Sequence, residues 1–329
     1  MAWQSTAMRT GSRPSWPRHC AGAARHPALS QLRTANDFFT YQGNRPFDAR
    51  LSDLEARRAF MRGCGVETQV VSLAGLFGVD CLPVEESVPL VRLFNDAVVE
   101  AQRESPDAFV GLAALPLADI GLACTELERA CSRGLPGAIL PADGFRTVTA
   151  AERFNPLFEV GERLGAHFFV HPGPIEPLPE VQVRDVRGDD AWQRHIVLET
   201  QARLSEVVMT LNFSDYLNPY PSVTVQVANL GGTIPFLLER MDEVTRERPG
   251  VPLPSVTRSR CYVDTASFGA RAIELAVACF GADRILLGTD CPIFDTARVL
   301  KALANARLDA DTRERIRFGN ARDLFARVT

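Results

Sequence analysis

Three polar residues each follow an apolar, strand-like run of the sequence. His171 ends the apolar run in FFVHPGP, Asn229 follows the run in VQVANLGG, and Asp290 follows the run in LLGTDCP. If these runs are parallel strands, their carboxyl ends meet at one edge and bring the three side chains together. A neutral imidazole and a carboxylate are common ligands of a divalent metal such as zinc. The same carboxylate could instead shuttle a proton.

Each of these residues also has a structural alternative. A histidine at a strand end can bond a neighbouring loop, Asp290 can cap the loop that follows it, and Asn229 before Gly-Gly is typical of a turn. Asp264 could orient a neighbour or cap a helix that begins near Ala266. Spacing alone therefore predicts a barrel enzyme and leaves its metal dependence open.

The other histidines are interpreted as structural. His167 begins a strand, at the end of a barrel where conserved positions serve stability, and His195 lies in a predicted surface helix. His19 and His26 belong to an irregular N-terminal segment.

Short apolar runs alternate with amphipathic helices along the chain. The pattern predicts strands at 68–74, 109–115, 138–140, 167–170, 223–228, 261–264 and 285–288. Residues 37–41 (DFFTY) could supply an eighth strand. Helices are predicted over 85–104, 117–133, 151–164 and 266–279. Since no G-x-G-x-x-G follows the early strands, a dinucleotide-binding sheet has no support. The predicted fold class is α/β, a (β/α)8 TIM barrel with an atypical first strand.

The helix at 117–133 illustrates the reasoning behind these predictions. Its apolar residues form a stripe with spacings of three and four, which we expect to face the sheet, and Gly134 should cap its carboxyl end. The stripe consists of Leu117, Ile120, Cys124, Leu127 and Cys131.

Composition excludes several classes of function. The chain has 329 residues, a formal net charge of −4 and a pI near 5.8, which gives no general attraction for nucleic acid or anionic lipid. No uncharged apolar run approaches the ~20 residues of a membrane span. The eight scattered cysteines, without C-x-x-C, favour reduced thiols in a cytoplasmic protein. The expected partner is a small-molecule substrate, and a homo-oligomer is compatible with the sequence.

The first 36 residues differ from the rest of the chain. They contain five arginines and no acidic residue, and three prolines interrupt any helical pattern. We predict an irregular, disordered leader over 1–36 and a barrel domain over 37–329.

The motifs taken together resemble the amidohydrolase-related barrel proteins, in the branch of aminocarboxymuconate-semialdehyde decarboxylase and the benzoate-type nonoxidative decarboxylases. The resemblance runs in order over about residues 50–326, and it is strongest in LGGTIPFLLERMD and LLGTDCP. It is carried by LSDLEARRAFMRGCGVETQVVS, FVGLAALPL, FVHPGP, ANLGGTIPFLLERMD, YVDTAS, RILLGTDCP and GNARDLF.

The resemblance implies a TIM barrel of the metal-dependent-hydrolase type, with one zinc-like ion at the barrel mouth. His171 matches the family's fifth-strand ligand and Asp290 its eighth-strand carboxylate, whereas Asn229 stands in place of the sixth-strand histidine. The family's first-strand His-x-His pair has no counterpart in this chain. Catalytic zinc usually has three protein ligands, so two would hold an ion weakly. Asn229 cannot take up a proton at neutral pH as a histidine can.

Two functions follow as alternatives. One is a carboxy-lyase (a nonoxidative decarboxylase) or hydrolase of a small carboxylated or cyclic compound, with His171 and Asp290 as catalytic or metal-binding residues, Asn229 in contact with substrate, and a divalent metal, expected to be Zn²⁺, as cofactor. The other is a catalytically degenerate barrel that serves as a binding protein or partner subunit, because the His-x-His pair is missing.

Overall fold

The computed structural model describes residues 37–40, 43–46, 53–73, 75, 78–79, 82–176 and 191–326. By their internal contacts these residues divide into two units, 1–141 with 173–182 and 142–172 with 183–329, and each is described by itself. The predicted leader over 1–36 lies outside the described residues, so the domain limits remain a prediction.

The first unit alternates helices with short parallel strands. Strands β3 (Gln69–Val71) and β4 (Phe109–Gly111) pair in parallel, and Ala113, just beyond β4, forms a parallel bridge to Ala138 in β5. Helix α1 (Leu54–Cys64) precedes β3, α2 (Val84–Glu104) connects β3 to β4, and α3 (Ile120–Ser132) lies between β4 and β5 (Gly137–Pro141). These strands and helices confirm the predicted α/β alternation.

The predicted first strand does not pair as expected for a barrel. Strand β1 (Asp37–Thr40) runs antiparallel to β2 (Gly43–Pro46), in a register that sets Asp37 opposite Pro46. Only two residues separate these strands, a connection that permits antiparallel neighbours but is too short for a parallel crossover. Residues 37–40 of the predicted strand therefore form one side of a hairpin.

Helix α3 turns its small residues inward, unlike the predicted stripe. Its buried residues are Ala123, Glu126, Leu127 and Ala130, and only Leu127 belongs to the stripe within the helix. The helix begins at Ile120 because Asp119 caps it, accepting a hydrogen bond from Leu122 N at 3.0 Å. Gly134 follows its end with φ +95, as expected for a residue that ends a helix.

In the second unit, four parallel strands lie side by side in chain order. They are β6 (His167–His171), β7 (Thr224–Val227), β8 (Cys261–Asp264) and β9 (Ile285–Leu286). The helices of this unit are α4 (Val148–Ala151), α5 (Asn155–Leu164), α6 (Ala191–Asn212), α7 (Ile234–Arg246), α8 (Ala270–Phe280), α9 (Thr296–Asn305), α10 (Ala310–Glu314) and α11 (Asn320–Phe325). No helix in the described part of the chain is both long and apolar enough to cross a membrane.

The two faces of β6 are chemically different. Phe168 and Val170 are fully buried, and the Phe168 ring packs on Phe158 of α5 with centroids 4.8 Å apart. A Cβ at Gly161 would lie 2.7 Å from the Phe168 ring, so this close approach of helix and strand requires glycine. Because side chains alternate along a strand, His167 and His171 lie on the opposite face. This face positions the candidate site.

Candidate functional site

His171 and Asp290 lie together, as the sequence predicted. The distance from His171 Nε2 to Asp290 Oδ1 is 3.8 Å, which is an ion-pair distance rather than a hydrogen bond. The His171 side chain is 14% exposed and that of Asp290 27%, so both remain accessible to a small molecule. His171 Nδ1 lies 3.1 Å from the carbonyl oxygen of Pro172, which favours a proton on Nδ1 and turns Nε2 towards the carboxylate.

Asp290 sits in a tight turn just beyond β9. Its backbone has φ +50, a left-handed conformation that aspartate tolerates better than most residues. The carbonyl oxygen of Asp290 accepts hydrogen bonds from Ile293 N at 2.9 Å and Phe294 N at 3.2 Å. The main chain therefore closes this turn, and the side chain is turned to His171.

Asp264, at the end of β8, is the buried centre of the hydrogen bonds beside this pair. It is 3% exposed and accepts from Gln226 Nε2 at 2.8 Å, Asn229 N at 3.2 Å and Ala266 N at 3.1 Å. Helix α8 begins only at Ala270, so the expectation of a helix starting near Ala266 is wrong. Of the two roles proposed for Asp264, orienting a neighbour is what the geometry shows.

A glycine makes room for this carboxylate. A Cβ at Gly288 would lie 2.6 Å from Asp264 Cβ and 2.7 Å from its Oδ1, closer than real contacts allow. Gly288 is held there by Thr265, whose hydroxyl lies 3.1 Å from both its N and its carbonyl oxygen. The turns after β8 and β9 are thereby joined.

Asn229 occupies a strained turn after β7. Asn229 and Leu230 have φ values of +53 and +55, and Gly231 follows at +69. The backbone N of Asn229 donates to Asp264, and its carbonyl oxygen accepts from Ser267 Oγ at 2.9 Å. Both bonds use main-chain atoms. They confirm a turn residue, and the substrate contact expected of its amide stays a prediction.

Electrostatics distinguish the two histidines of β6. Burial opposes the charged form of His171, but attraction to Asp290 and the bond to Pro172 outweigh it, so its pKa is raised. Burial lowers the pKa of His167, four residues earlier, to about 4, so this histidine stays neutral. Burial also raises the pKa of Asp264, although three hydrogen bonds act in the opposite direction.

The described residues supply an incomplete set of metal ligands. His171 and Asp290 present two donor atoms 3.8 Å apart. Across the described part of the chain, no three His, Cys, Asp or Glu side chains come together as a metal site would require. A catalytic zinc ion needs a third protein ligand. The two donors thus form part of such a site and do not complete it.

The structural roles predicted for two other histidines hold. His167 is fully buried, with Nδ1 3.0 Å from Thr224 Oγ1 and its ring edge-on to Phe325. His195 lies on α6, 3.5 Å from Glu199 one turn later. His19 and His26 lie outside the described residues.

Sequence reasoning missed Gln226, which holds one oxygen of Asp264. The signal was present, since Gln226 is the only amide in the apolar run VTVQVA. A polar side chain inside a buried strand requires a hydrogen-bond partner, and here that partner is Asp264.

The chain is similar to proteins of one enzyme family. A profile of the amidohydrolase family matches residues 47–327. The chain is 27% identical over 297 residues to gamma-resorcylate decarboxylase of Polaromonas sp. strain JS666, covering 84% of this chain and 89% of the relative. It is 26% identical over 256 residues to 2-amino-3-carboxymuconate-6-semialdehyde decarboxylase of Dictyostelium discoideum, covering 75% and 69%.

A solved structure extends the likeness to three dimensions. The dihydroxybenzoic acid decarboxylase of Polaromonas sp. JS666, which holds manganese and the inhibitor 2-nitroresorcinol, superposes with a TM-score of 0.68 at 25% identity. The match covers 84% of this chain and 87% of that one. The chain therefore belongs to the amidohydrolase family. It is an enzyme with the TIM-barrel fold of that family, which confirms the predicted class and fold.

Proposed function

We propose that the protein is a nonoxidative decarboxylase that releases CO₂ from a small aromatic carboxylic acid. The observation that carries this proposal is the accessible pairing of His171 with Asp290 at the ends of β6 and β9. The named relatives, decarboxylases of gamma-resorcylate and of an aminocarboxymuconate semialdehyde, support the reaction and the class of substrate. A cytoplasmic location and a homo-oligomeric state stay predictions from the sequence.

The reaction replaces a carboxylate with a proton. A proton adds to the ring carbon that bears the carboxylate, the bond to the carboxylate carbon breaks, its electron pair restores the aromatic ring, and CO₂ leaves. His171 can donate this proton from Nε2, since its raised pKa keeps more of it protonated. Asp290, 3.8 Å away, stabilises the imidazolium, and the neutral imidazole left after the transfer takes up a proton from solvent.

A divalent cation is the cofactor that the comparisons support. The similar decarboxylase structure holds manganese, so zinc, which the sequence led us to expect, has no specific support. His171 and Asp290 are the residues that would contact such an ion. Because the described residues provide only these two donors, we derive no step through the metal.

The test is CO₂ release by the purified full chain from 2,6-dihydroxybenzoate (gamma-resorcylate), with resorcinol as the second product. We expect His171→Gln and Asp290→Asn to lower kcat/KM about 100-fold or more, the usual contribution of a proton-transferring group. His195→Gln is the matched control, because His195 also pairs with a carboxylate but lies on α6. Turnover by both site variants at the wild-type rate would refute the assignment.

Metal content is measured in the same preparations. Loss of activity on chelation, with recovery on adding Mn²⁺, would require a third ligand from outside the described residues. Full activity of a metal-free preparation would instead support direct acid–base chemistry by His171 and Asp290.

The incomplete donor set favours one second candidate, a catalytically degenerate barrel that binds a small carboxylate without converting it. This candidate predicts ligand binding without CO₂ release under every metal condition, and tolerance of substitution at Asp290. CO₂ release that depends on His171 would eliminate it.

A further inference from the structure

Two phenylalanines form a ring pair in the turns that follow Asp264 and Asp290. The rings of Phe268 and Phe294 have centroids 4.7 Å apart and planes inclined at 54°. Each lies four residues beyond a carboxylate at the site, Phe268 beyond Asp264 and Phe294 beyond Asp290. Both therefore belong to the turns at the carboxyl ends of β8 and β9, where ligands bind in parallel α/β folds.

The backbone of Phe268 is strained. Its φ is +62, whereas the adjacent Gly269, which could adopt that conformation without cost, has φ −127. A bulky residue at positive φ is a genuine outlier, and such outliers cluster at functional sites. The chain thus places an aromatic ring, rather than the neighbouring glycine, at the strained position.

The pair is tied to the site by main-chain bonds. Phe294 N donates to the carbonyl oxygen of Asp290 at 3.2 Å. Ser267, next to Phe268, donates its hydroxyl to the carbonyl oxygen of Asn229 at 2.9 Å. The positions of both rings are therefore linked to the turns that carry the candidate site residues.

Neither phenylalanine is fully buried in the protein core. Phe294 is 42% exposed and Phe268 is half-buried, so part of each side chain remains open to solvent. An apolar ring that a strained backbone keeps partly in water contributes little to the free energy of folding. Its exposed surface can instead contact the flat face of an aromatic ligand.

We propose that Phe268 and Phe294 form an aromatic wall that contacts the ring of the substrate and selects planar aromatic carboxylates over saturated ones. The proposal rests on the proposed function, because it names the residues that would select the aromatic substrate of the same site. An edge-to-face or offset contact suits an aromatic ring, whereas a puckered saturated ring of similar size fits it poorly.

The experiment compares binding of 2,6-dihydroxybenzoate with binding of cyclohexanecarboxylate by calorimetry, so that turnover is not the readout. Phe268→Gly removes the ring and relieves the positive φ. We expect a melting temperature equal to or above that of the wild type, and a loss of about 3- to 10-fold in the preference for the aromatic ligand. Phe294→Leu should lose a similar share of the preference.

Phe318→Leu is the matched control, because Phe318 is 44% exposed, close to the value for Phe294, and lies outside the turns of the site. Its preference for the aromatic ligand should equal that of the wild type. A purely structural role for Phe268 predicts lower stability in Phe268→Gly with an unchanged preference.

The outcomes separate this wall from the proposed reaction. The wall is overturned if both Phe268→Gly and Phe294→Leu keep the wild-type preference for the aromatic ligand. It is also overturned if the wild type has no such preference, and either result holds even if CO₂ is released. A preference that both variants lose, in a protein that releases no CO₂, supports the wall and overturns the decarboxylase.

Discussion

The buried histidine of β6 should make the protein sensitive to mild acid. His167 is fully buried, touches Thr224 Oγ1 at 3.0 Å and meets the Phe325 ring, and its Nε2 has no hydrogen-bond partner within the described residues. A proton added to this ring would leave a charge in an apolar environment. Burial accordingly lowers its pKa from 6.5 to about 4.

The size of the effect follows from this shift. Below pH 6.5 the unfolded chain takes up a proton on His167 that the folded protein refuses until about pH 4, so stability falls as the pH falls across this window. At 1.36 kcal/mol per pKa unit, the loss is about 2 kcal/mol at pH 5 and about 3 kcal/mol near pH 4. Such a loss is a large part of the stability of an ordinary domain.

Urea unfolding at pH 7, 6 and 5 measures this loss. Burial also raises the pKa of Asp264. The comparison is therefore between the wild type and His167→Gln, which can still bond Thr224 but does not titrate. We expect the variant to lose about 2 kcal/mol less than the wild type between pH 7 and 5. Parallel stability curves for the two proteins would refute the assignment of a neutral, depressed histidine.

Two further predictions concern the site. Asp290→Asn removes the attraction that raises the pKa of His171. As the pH rises, the activity that needs the imidazolium should therefore begin to fall at a lower pH than in the wild type, which a pH profile of kcat/KM measures. An unmoved profile would argue against His171 as the acid. Gly288→Ala should cost about 1–3 kcal/mol in urea unfolding and lower kcat, because its Cβ would collide with Asp264. In contrast, Gly63→Ala, in α1 with nothing within 4 Å, should be neutral or stabilising.

Hydrophobic periodicity predicted most elements of the fold because each buries one apolar face. Helix α2 begins at Val84, one residue before the predicted start, and β8 matches its predicted bounds. The buried face of α3 was misplaced, since the pattern weighted Ile120 and Cys124, whereas close packing of helix on sheet selects the small Ala123 and Ala130. Periodicity finds an amphipathic helix more reliably than the direction of its face.

The chemistry of the site was predictable only in part. His171 and Asp290 could be found from sequence because strand-end positions of a parallel sheet converge whatever the loops do. Gln226 and Phe268 could not be assigned in the same way. The role of Gln226 depends on where the Asp264 carboxylate points, and that of Phe268 on a positive φ at a position followed by glycine. The first is a tertiary contact between two strands and the second is a property of a turn, and residue types specify both only weakly.

The turn after β7 shows how the site tolerates asparagine where the family has histidine. Asn229 is held at φ +53 by the carboxylate of Asp264, which accepts its backbone N–H, and asparagine is among the residues that accept this conformation best. The amide can orient a substrate oxygen, but it cannot exchange a proton at neutral pH. In the proposed reaction, proton transfer at neutral pH is therefore assigned to His171, whose pKa its partner Asp290 raises. An Asn229→His variant would add a second titrating group without disturbing the backbone bond to Asp264, and a second ionisation in its pH profile would show that position 229 faces the substrate.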